Sequence, residues 1–173
     1  MRKNQDELFE FLSKVSLFRD ASENHIRMLI KELLIKEFGR GENIIREGEH
    51  GTTIYFLIKG EVSVSKKLTL LSTQSETSQV DKALIKLKDS YFAFFGEMAM
   101  CGEADIRSAT VKAETDCILA ELSADQINTV VEKHPEFGMI FYRNLAGVLA
   151  DRLRKSNRDV LKLTTALTLA LEE

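Results

Sequence analysis

Apolar positions change their rhythm twice along the chain. Near the start, Leu8, Phe9, Phe11, Leu12 and Val15 recur at helical spacing, which predicts a short amphipathic helix over residues 4–15. A second helix is expected after Asp20 or Ser22 as N-cap, with Ile26, Leu29, Ile30, Leu33 and Leu34 facing inward. From Phe38 to Leu122 the texture differs. Apolar runs become short, and Gly39, Gly41, Gly48, Gly51, Gly60, Gly96 and Gly102 punctuate them. Ile54 to Ile58 reads as a compact buried strand. Val62 and Val64 alternate with Ser63 and Ser65, and Ala109, Val111 and Ala113 alternate with Thr110, Lys112 and Glu114. Alternation puts successive side chains on opposite sheet faces, so these are strands at the close spacing of an all-β sandwich or barrel. Residues 72–79 contain nothing apolar and are expected to form a long hairpin tip or surface loop.

Helical texture returns at Ser123. Ser123 and Gln126 form a capping-box pattern, and that helix should end near His134, before Pro135, the single proline. Proline suits the first turn of the next helix. From there to about Leu171 only Gly138 and Gly147 interrupt the pattern. Apolar positions run through Phe137, Ile140, Phe141, Leu145, Val148, Leu149 and Leu153, lapse over residues 154–159, and resume at Val160, Leu163, Leu167 and Leu171. A helix of roughly 30 residues or more outreaches one small domain, so its distal half implies a partner, most simply a second copy of the chain.

Composition narrows the function. With 173 residues, 44% hydrophobic and 29% charged, the chain can build a globular core without disulfides or metals. A net charge of −3 argues against a globally basic nucleic-acid binder. Cys101 and Cys117 lack metal-like spacing and read as reduced thiols, with a disulfide between them the less favoured alternative. The N-terminus shows no apolar signal core, and no stretch approaches the roughly 18–20 apolar residues that span a bilayer. A soluble cytoplasmic protein without a membrane partner is expected. His25, His50 and His134 are scattered, no metal-ligand spacing appears, and neither a GxSxG motif nor a Walker loop is present. No metal, no cofactor and no catalytic residues are expected, hence no enzyme.

Candidate chemistry lies between Phe95 and Thr110, FGEMAMCGEADIRSAT. Arg107 falls in phase with Ala109, Val111 and Ala113, on the apolar side of its strand. A permanent cation there needs an anion or a route to solvent, and its planar fork suits a phosphate. Ser108 and the amides of a turn after Glu97 add donors. Glu97 is a suitable acceptor for a ribose hydroxyl. Gly96 and Ala99 are small enough for close approach. The plainer alternatives are a Glu97–Arg107 salt bridge across a turn, or an Arg107 that snorkels at a barrel mouth.

Together, EGEHGTTIYFLIKGEVSV at 47–64 and FGEMAM…RSATV at 95–111, flanked by helices, resemble the cyclic-nucleotide-binding domain family. The resemblance spans about residues 16–155 and is of the catabolite-activator and protein-kinase-regulatory-subunit kind, without a helix-turn-helix. It implies an α+β fold, an antiparallel jelly-roll-like β-roll flanked by N-terminal helices and by a short and a long C-terminal helix. The implied segments are 1–35 (N-terminal helices), 36–122 (β-roll with the nucleotide cassette) and 123–173 (lid and dimerisation helices). By resemblance Glu97 binds the ribose 2′-hydroxyl and Arg107 the phosphate, with Gly96, Met98, Ala99, Ser108 and Ala109 around the ligand. The ligand implied is cyclic AMP or cyclic GMP; Ser108 is compatible with either, and cyclic AMP is favoured. Ile106 stands where the family often has proline, and LKDSYFAFFGE replaces its usual glycine-rich turn.

In the family the C-terminal helix closes over the purine. Arg152, Ser156 and Asn157 are the candidate purine contacts, Ser156 and Asn157 offering a hydroxyl and an amide to a base edge. Thr164 and Thr165 read instead as a polar break in a helix–helix seam. Three readings follow: a cyclic-nucleotide sensor that forms a homodimer through the C-terminal helix, a dimerisation module of the same fold that has lost its ligand, and a transcription-regulator-like protein acting through the basic helix. Direct DNA binding is not expected, because no helix-turn-helix follows.

Overall fold

The computed structural model describes residues 5–70, 78–100 and 106–171. Helix α1 (Gln5–Leu12) is followed by a 3₁₀ turn at Ser16–Phe18 and by α2 (Glu23–Glu32). Eight strands come next: β1 (Leu34–Phe38), β2 (Asn43–Ile45), β3 (Thr53–Lys59), β4 (Glu61–Leu70), β5 (Ser78–Lys88), β6 (Phe94–Phe95), β7 (Thr110–Ala113) and β8 (Cys117–Ser123). The chain closes with α3 (Ala124–Lys133) and α4 (Pro135–Leu171). The strands form two four-stranded sheets, ordered β1-β8-β3-β6 and β2-β7-β4-β5, with every pairing antiparallel. This is the α+β β-roll expected from the sequence.

The central strands of the first sheet, β3 and β8, are covered on both faces, which explains the unbroken apolar run of β3. Ile54, Phe56, Ile58, Phe94, Ala120 and Leu122 face the helices and pack against Leu12, Phe18, Leu29, Phe137 and Phe141. Leu57, Phe95, Cys117 and Leu119 face the second sheet and meet Ile45, Val62, Val111 and Ala113. Ser63, which alternates with Val62 and Val64, is also buried. A hydrogen bond from Ser63 is the main cause that holds the Glu114 carboxyl below its ordinary pKa, so the hydroxyl is satisfied there.

Helix boundaries follow the capping signals. Ser22 caps α2 by accepting from the His25 amide, and α2 ends at Glu32. Leu34 therefore does not face inward as a helical residue; it opens β1 and is 56% exposed. The β1 strand thus begins inside the segment assigned to the N-terminal helices. The first helix stops at Leu12, three residues short of its expected end, while Val15 is still buried. Ser123 accepts from the Gln126 amide at 3.2 Å and donates its own amide to Gln126 Oε1 at 2.8 Å, the reciprocal capping box. The Gln126 side chain also donates to the Glu32 carbonyl at 2.8 Å, which ties the end of α2 to the start of α3. Residues 78 and 79 belong to β5 and not to the expected loop; residues 72–77 lie outside the described residues, as does Cys101, while Cys117 is a buried free thiol.

Candidate functional site

Arg107 precedes β7 and is held by its own backbone. Its amide donates to the Glu49 carbonyl at 2.8 Å, and its carbonyl accepts from the Gly48 amide at 2.9 Å. This clamp turns the side chain inward, where the residue is 7% exposed. Nη1 donates to the Thr53 carbonyl at 3.0 Å and the Gly96 carbonyl at 3.2 Å. Two glycines make room for the guanidinium. A Cβ on Gly51 would lie 2.9 Å from Nη2, and one on Gly96 would lie 3.0 Å from Nη1 and 2.6 Å from the Thr53 carbonyl oxygen. Gly96 also has φ of +87°, a conformation that glycine adopts without strain. Burial holds the Arg107 pKa below its usual value, with Tyr55 and Glu97 acting weakly against that shift. Among the described residues no carboxylate forms a salt bridge with Arg107, so the Glu97–Arg107 pair of the plainer reading is absent.

Glu97 opens the 3₁₀ turn Glu97–Met100 directly after β6 and is 1% exposed. Its partner comes from α4: Arg152 Nη1 donates to Glu97 Oε1. Arg152 Nη2 donates to the Phe94 carbonyl at 3.1 Å, and the guanidinium lies 5.3 Å from the centroid of the Phe94 ring. Glu97 Oε2 is buried with no hydrogen-bond partner among the described residues. A buried carboxylate oxygen of this kind is costly unless something donates to it.

These groups open onto one cleft of about 540 Å³ between the second sheet and α4. That is ample for a nucleotide-sized ligand. Gly96, Glu97, Met98, Arg107, Ser108 and Ala109 line it from the roll. Ser108 Oγ lies 3.6 Å from the Met98 sulfur. The side chain of Ala99 lies outside the described residues. Arg152 and Ser156 line the cleft from α4, but Asn157 does not. Asn157 shares another face of α4 with Asp151, Arg154 and Arg158, so its expected contact with a purine is corrected. Arg152, in turn, meets the ribose-binding candidate Glu97.

Sequence reasoning missed Lys155, Asp159, Val160 and Leu163, which line the cleft at α-helical spacing with Arg152 and Ser156. Their signal was available. The buried stripe Phe137, Phe141, Leu145 continues through Val148 to Arg152, Ser156, Asp159 and Leu163 in steps of three and four. Asn157 is out of phase with that stripe. From the roll, Ile45, Val64, Leu87, Phe95 and Val111 supply an apolar floor.

The segment Lys88 to Phe94 lacks the family's glycines and solves the turn differently. Phe92 takes the left-handed conformation, with φ of +49° and ψ of +43°. Its ring packs against Phe11 at 5.7 Å and under the Lys14 ammonium at 5.4 Å, contacts that help hold an uncommon backbone state. Asp89 Oδ2 accepts from the Gly60 amide at 3.0 Å and fixes the other end of the turn.

A β-roll and a helix that enclose a cleft with a buried arginine and a buried glutamate form the architecture of a ligand-binding domain. The cyclic nucleotide-binding domain family matches residues 35–134, and the chain belongs to that family. The family is regulatory and not catalytic. Among curated relatives, the potassium/sodium hyperpolarization-activated cyclic nucleotide-gated channel 4 of Homo sapiens is 32% identical over 152 residues, 88% of this chain and 11% of the channel. The cAMP-activated global transcriptional regulator CRP of Haemophilus influenzae is 34% identical over 120 residues, 69% of this chain and 47% of the regulator. The chain thus spans only a fraction of the length of either relative. A solved cyclic nucleotide-binding domain from Methylobacillus flagellatus is 25% identical with a TM-score of 0.73, covering 91% of this chain and 82% of that one. The regulatory domain of Toxoplasma gondii PKA, solved with cAMP, shares the fold at a TM-score of 0.66 and 19% identity, covering 87% of this chain and 50% of that one. No helix among the described residues is long and apolar enough to cross a membrane.

Proposed function

We propose that this chain is a cytoplasmic cyclic-nucleotide sensor that prefers cyclic AMP to cyclic GMP and answers the ligand by moving α4. The observation that carries this reading is the pairing of opposites across the cleft. Arg107 is a buried cation whose recorded hydrogen bonds go to carbonyls alone, and Glu97 Oε2 is a buried acceptor without a donor. A cyclic nucleotide supplies an anion to the first and a ribose hydroxyl to the second. Gly96, Met98, Ser108 and Ala109 line the same space, with Ala99 beside them in sequence. The preference for cyclic AMP rests on the relatives whose names carry it.

Arg152 gives the coupling a physical form. It holds Glu97 Oε1 and so ties α4 to the roll. A ribose hydroxyl on Oε2 draws charge from the same carboxylate and weakens its hold on Arg152 at Oε1, which lets Arg152 turn with Ser156 toward the base. Val160 and Leu163 present apolar surface to the purine face. The rest of distal α4 is the surface through which two copies pair as a homodimer, and direct DNA contact is no part of this reading.

A thermal scan with cyclic AMP and cyclic GMP tests the proposal. Ligand at about 100-fold over its Kd stabilises a fold by about 2.7 kcal/mol, a rise in Tm on the order of 5–10 °C at this length. The Arg107→Ala variant should lose that rise. Flat scans with both nucleotides would favour the ligand-free dimerisation module, and a rise retained in Arg107→Ala would place the ligand elsewhere.

A further inference from the structure

Outside the cleft, a second cluster of ligating side chains forms where α2 meets the corner between α3 and α4. His25 lies in the first turn of α2, His134 is the C-cap of α3, and Glu136 follows Pro135 at the start of α4. The proline disfavours helical backbone at His134, which adopts φ of −135° and ψ of 72°. His134 and Glu136 thereby flank the corner on the side that faces α2, and residues 111 positions apart come into contact.

His25 Nε2 lies 3.2 Å from Glu136 Oε1, and His134 Nδ1 lies 3.5 Å from the same oxygen. The three ligand atoms all fall within 4.8 Å of one another. A tetrahedral ion with bonds of about 2.0–2.1 Å needs ligand atoms separated by about 3.3–3.4 Å. Two of the three separations already suit that figure. A swing of the partly exposed His134 ring adjusts the third.

We propose that His25 Nε2, His134 Nδ1 and Glu136 Oε1 form a binding site for a divalent transition-metal ion of the zinc type. Two imidazoles and one carboxylate suit Zn²⁺, whereas Mg²⁺ and Ca²⁺ require oxygen ligands. The Glu136 side chain is 60% exposed, so the ion has a path in from solvent and an outward position for water. His25 Nδ1 is buried without a hydrogen-bond partner among the described residues. An ion on Nε2 leaves the proton on that Nδ1, with no outer acceptor to orient it, which lowers affinity by roughly 10–100-fold relative to a fully supported site. The site is therefore an exchangeable one. It also has a structural consequence, because an ion there pins α2 to the root of α4, next to Phe137, whose ring centroid is 5.3 Å from that of His25.

This proposal stands apart from nucleotide binding and is tested without nucleotide. The chelator-stripped full chain is titrated with ZnCl₂ by calorimetry and thermal scan, with MgCl₂ as the control. One Zn²⁺ per chain and a Tm rise on the order of 5–10 °C at about 100-fold over Kd are expected, with no response to MgCl₂. Glu136→Gln and His134→Gln lie at partly exposed positions, so both variants should fold, and each should lose most of the rise. Co²⁺ should give visible d–d absorption without a thiolate charge-transfer band. Absence of stoichiometric Zn²⁺ binding, a Tm rise that survives both substitutions, or a thiolate band that moves the ion to a cysteine would each overturn the assignment.

Discussion

From Pro135 to Leu145, α4 contributes Phe137, Gly138, Phe141 and Leu145 to the core; from Asp151 to Leu171 every residue of the same helix is exposed. The proximal stretch is sewn to the 3₁₀ turn by Asn144, whose amide donates to the Leu17 carbonyl at 3.1 Å and the Arg19 carbonyl at 2.7 Å. The distal stretch meets the roll through the Arg152–Glu97 pair and carries Val160, Leu161, Leu163, Leu167, Leu169 and Leu171 at 58–77% exposure. Both stretches carry apolar residues at helical spacing, the distal one after the lapse over residues 154–159. What separates them is whether the domain supplies a surface to cover them. A helix of 37 residues is about 55 Å long at about 1.5 Å per residue, longer than the roll can cover. The proximal part therefore holds the fold together, and the distal part is left available for movement and for a partner.

The strongest test of this division truncates a ring in the proximal part. Phe141 is fully buried and its ring lies 6.2 Å from that of Phe18. The Phe141→Ala variant should lose about 3–5 kcal/mol, read as the shift in denaturant midpoint. A loss below about 1 kcal/mol would mean that the proximal helix is not the structural half.

The matching test on the distal part changes association and leaves the fold alone. The paired substitution Leu167→Asp and Leu171→Asp puts two charges on exposed positions away from the cleft, so monomer stability should move by no more than about 0.5 kcal/mol each. Sedimentation should shift from dimer to monomer. A dimer that persists would locate the interface elsewhere, and a collapse of stability would show that distal α4 is already packed within one chain.

How much of this was readable beforehand depends on whether the signal is local. The capping box at Ser123, the corner at Pro135 and the length of α4 are local chemistry, and each appeared in the structure where its residues put it. Arg107 was legible as an inward-facing cation because its strand phase fixed it, and Glu97 as an acceptor, whereas the burial of Glu97 was not. Leu34 misled because an apolar residue at a helix end can equally start a strand with an exposed face. The left-handed turn at Phe92 was not legible, because it is supported by Phe11, a long-range contact that no window of sequence contains. The meeting of His25 with His134 and Glu136 was illegible for the same reason. Asn157 is different: the phase of the Phe137–Phe141–Leu145 stripe alone puts it off the cleft side.

The two glycines of α4 give the finest probe, because they should respond with opposite signs. A Cβ on Gly138 would sit 2.5 Å from Val131 Cγ1, at the contact between α3 and α4. Gly138→Ala should therefore cost about 1–3 kcal/mol through overpacking. A Cβ on Gly147 would meet nothing within 4 Å. Gly147→Ala should stabilise the helix by about 0.5–1 kcal/mol, since alanine loses less backbone entropy than glycine. Gly147 also lies at the boundary between the covered and uncovered stretches, where a moving lid would bend. If α4 bends there, Gly147→Ala should raise Tm while changing the affinity for cyclic AMP. If α4 moves as one rod, Tm should rise and affinity should stay the same, and the pivot would then belong at the Pro135 corner, beside His25.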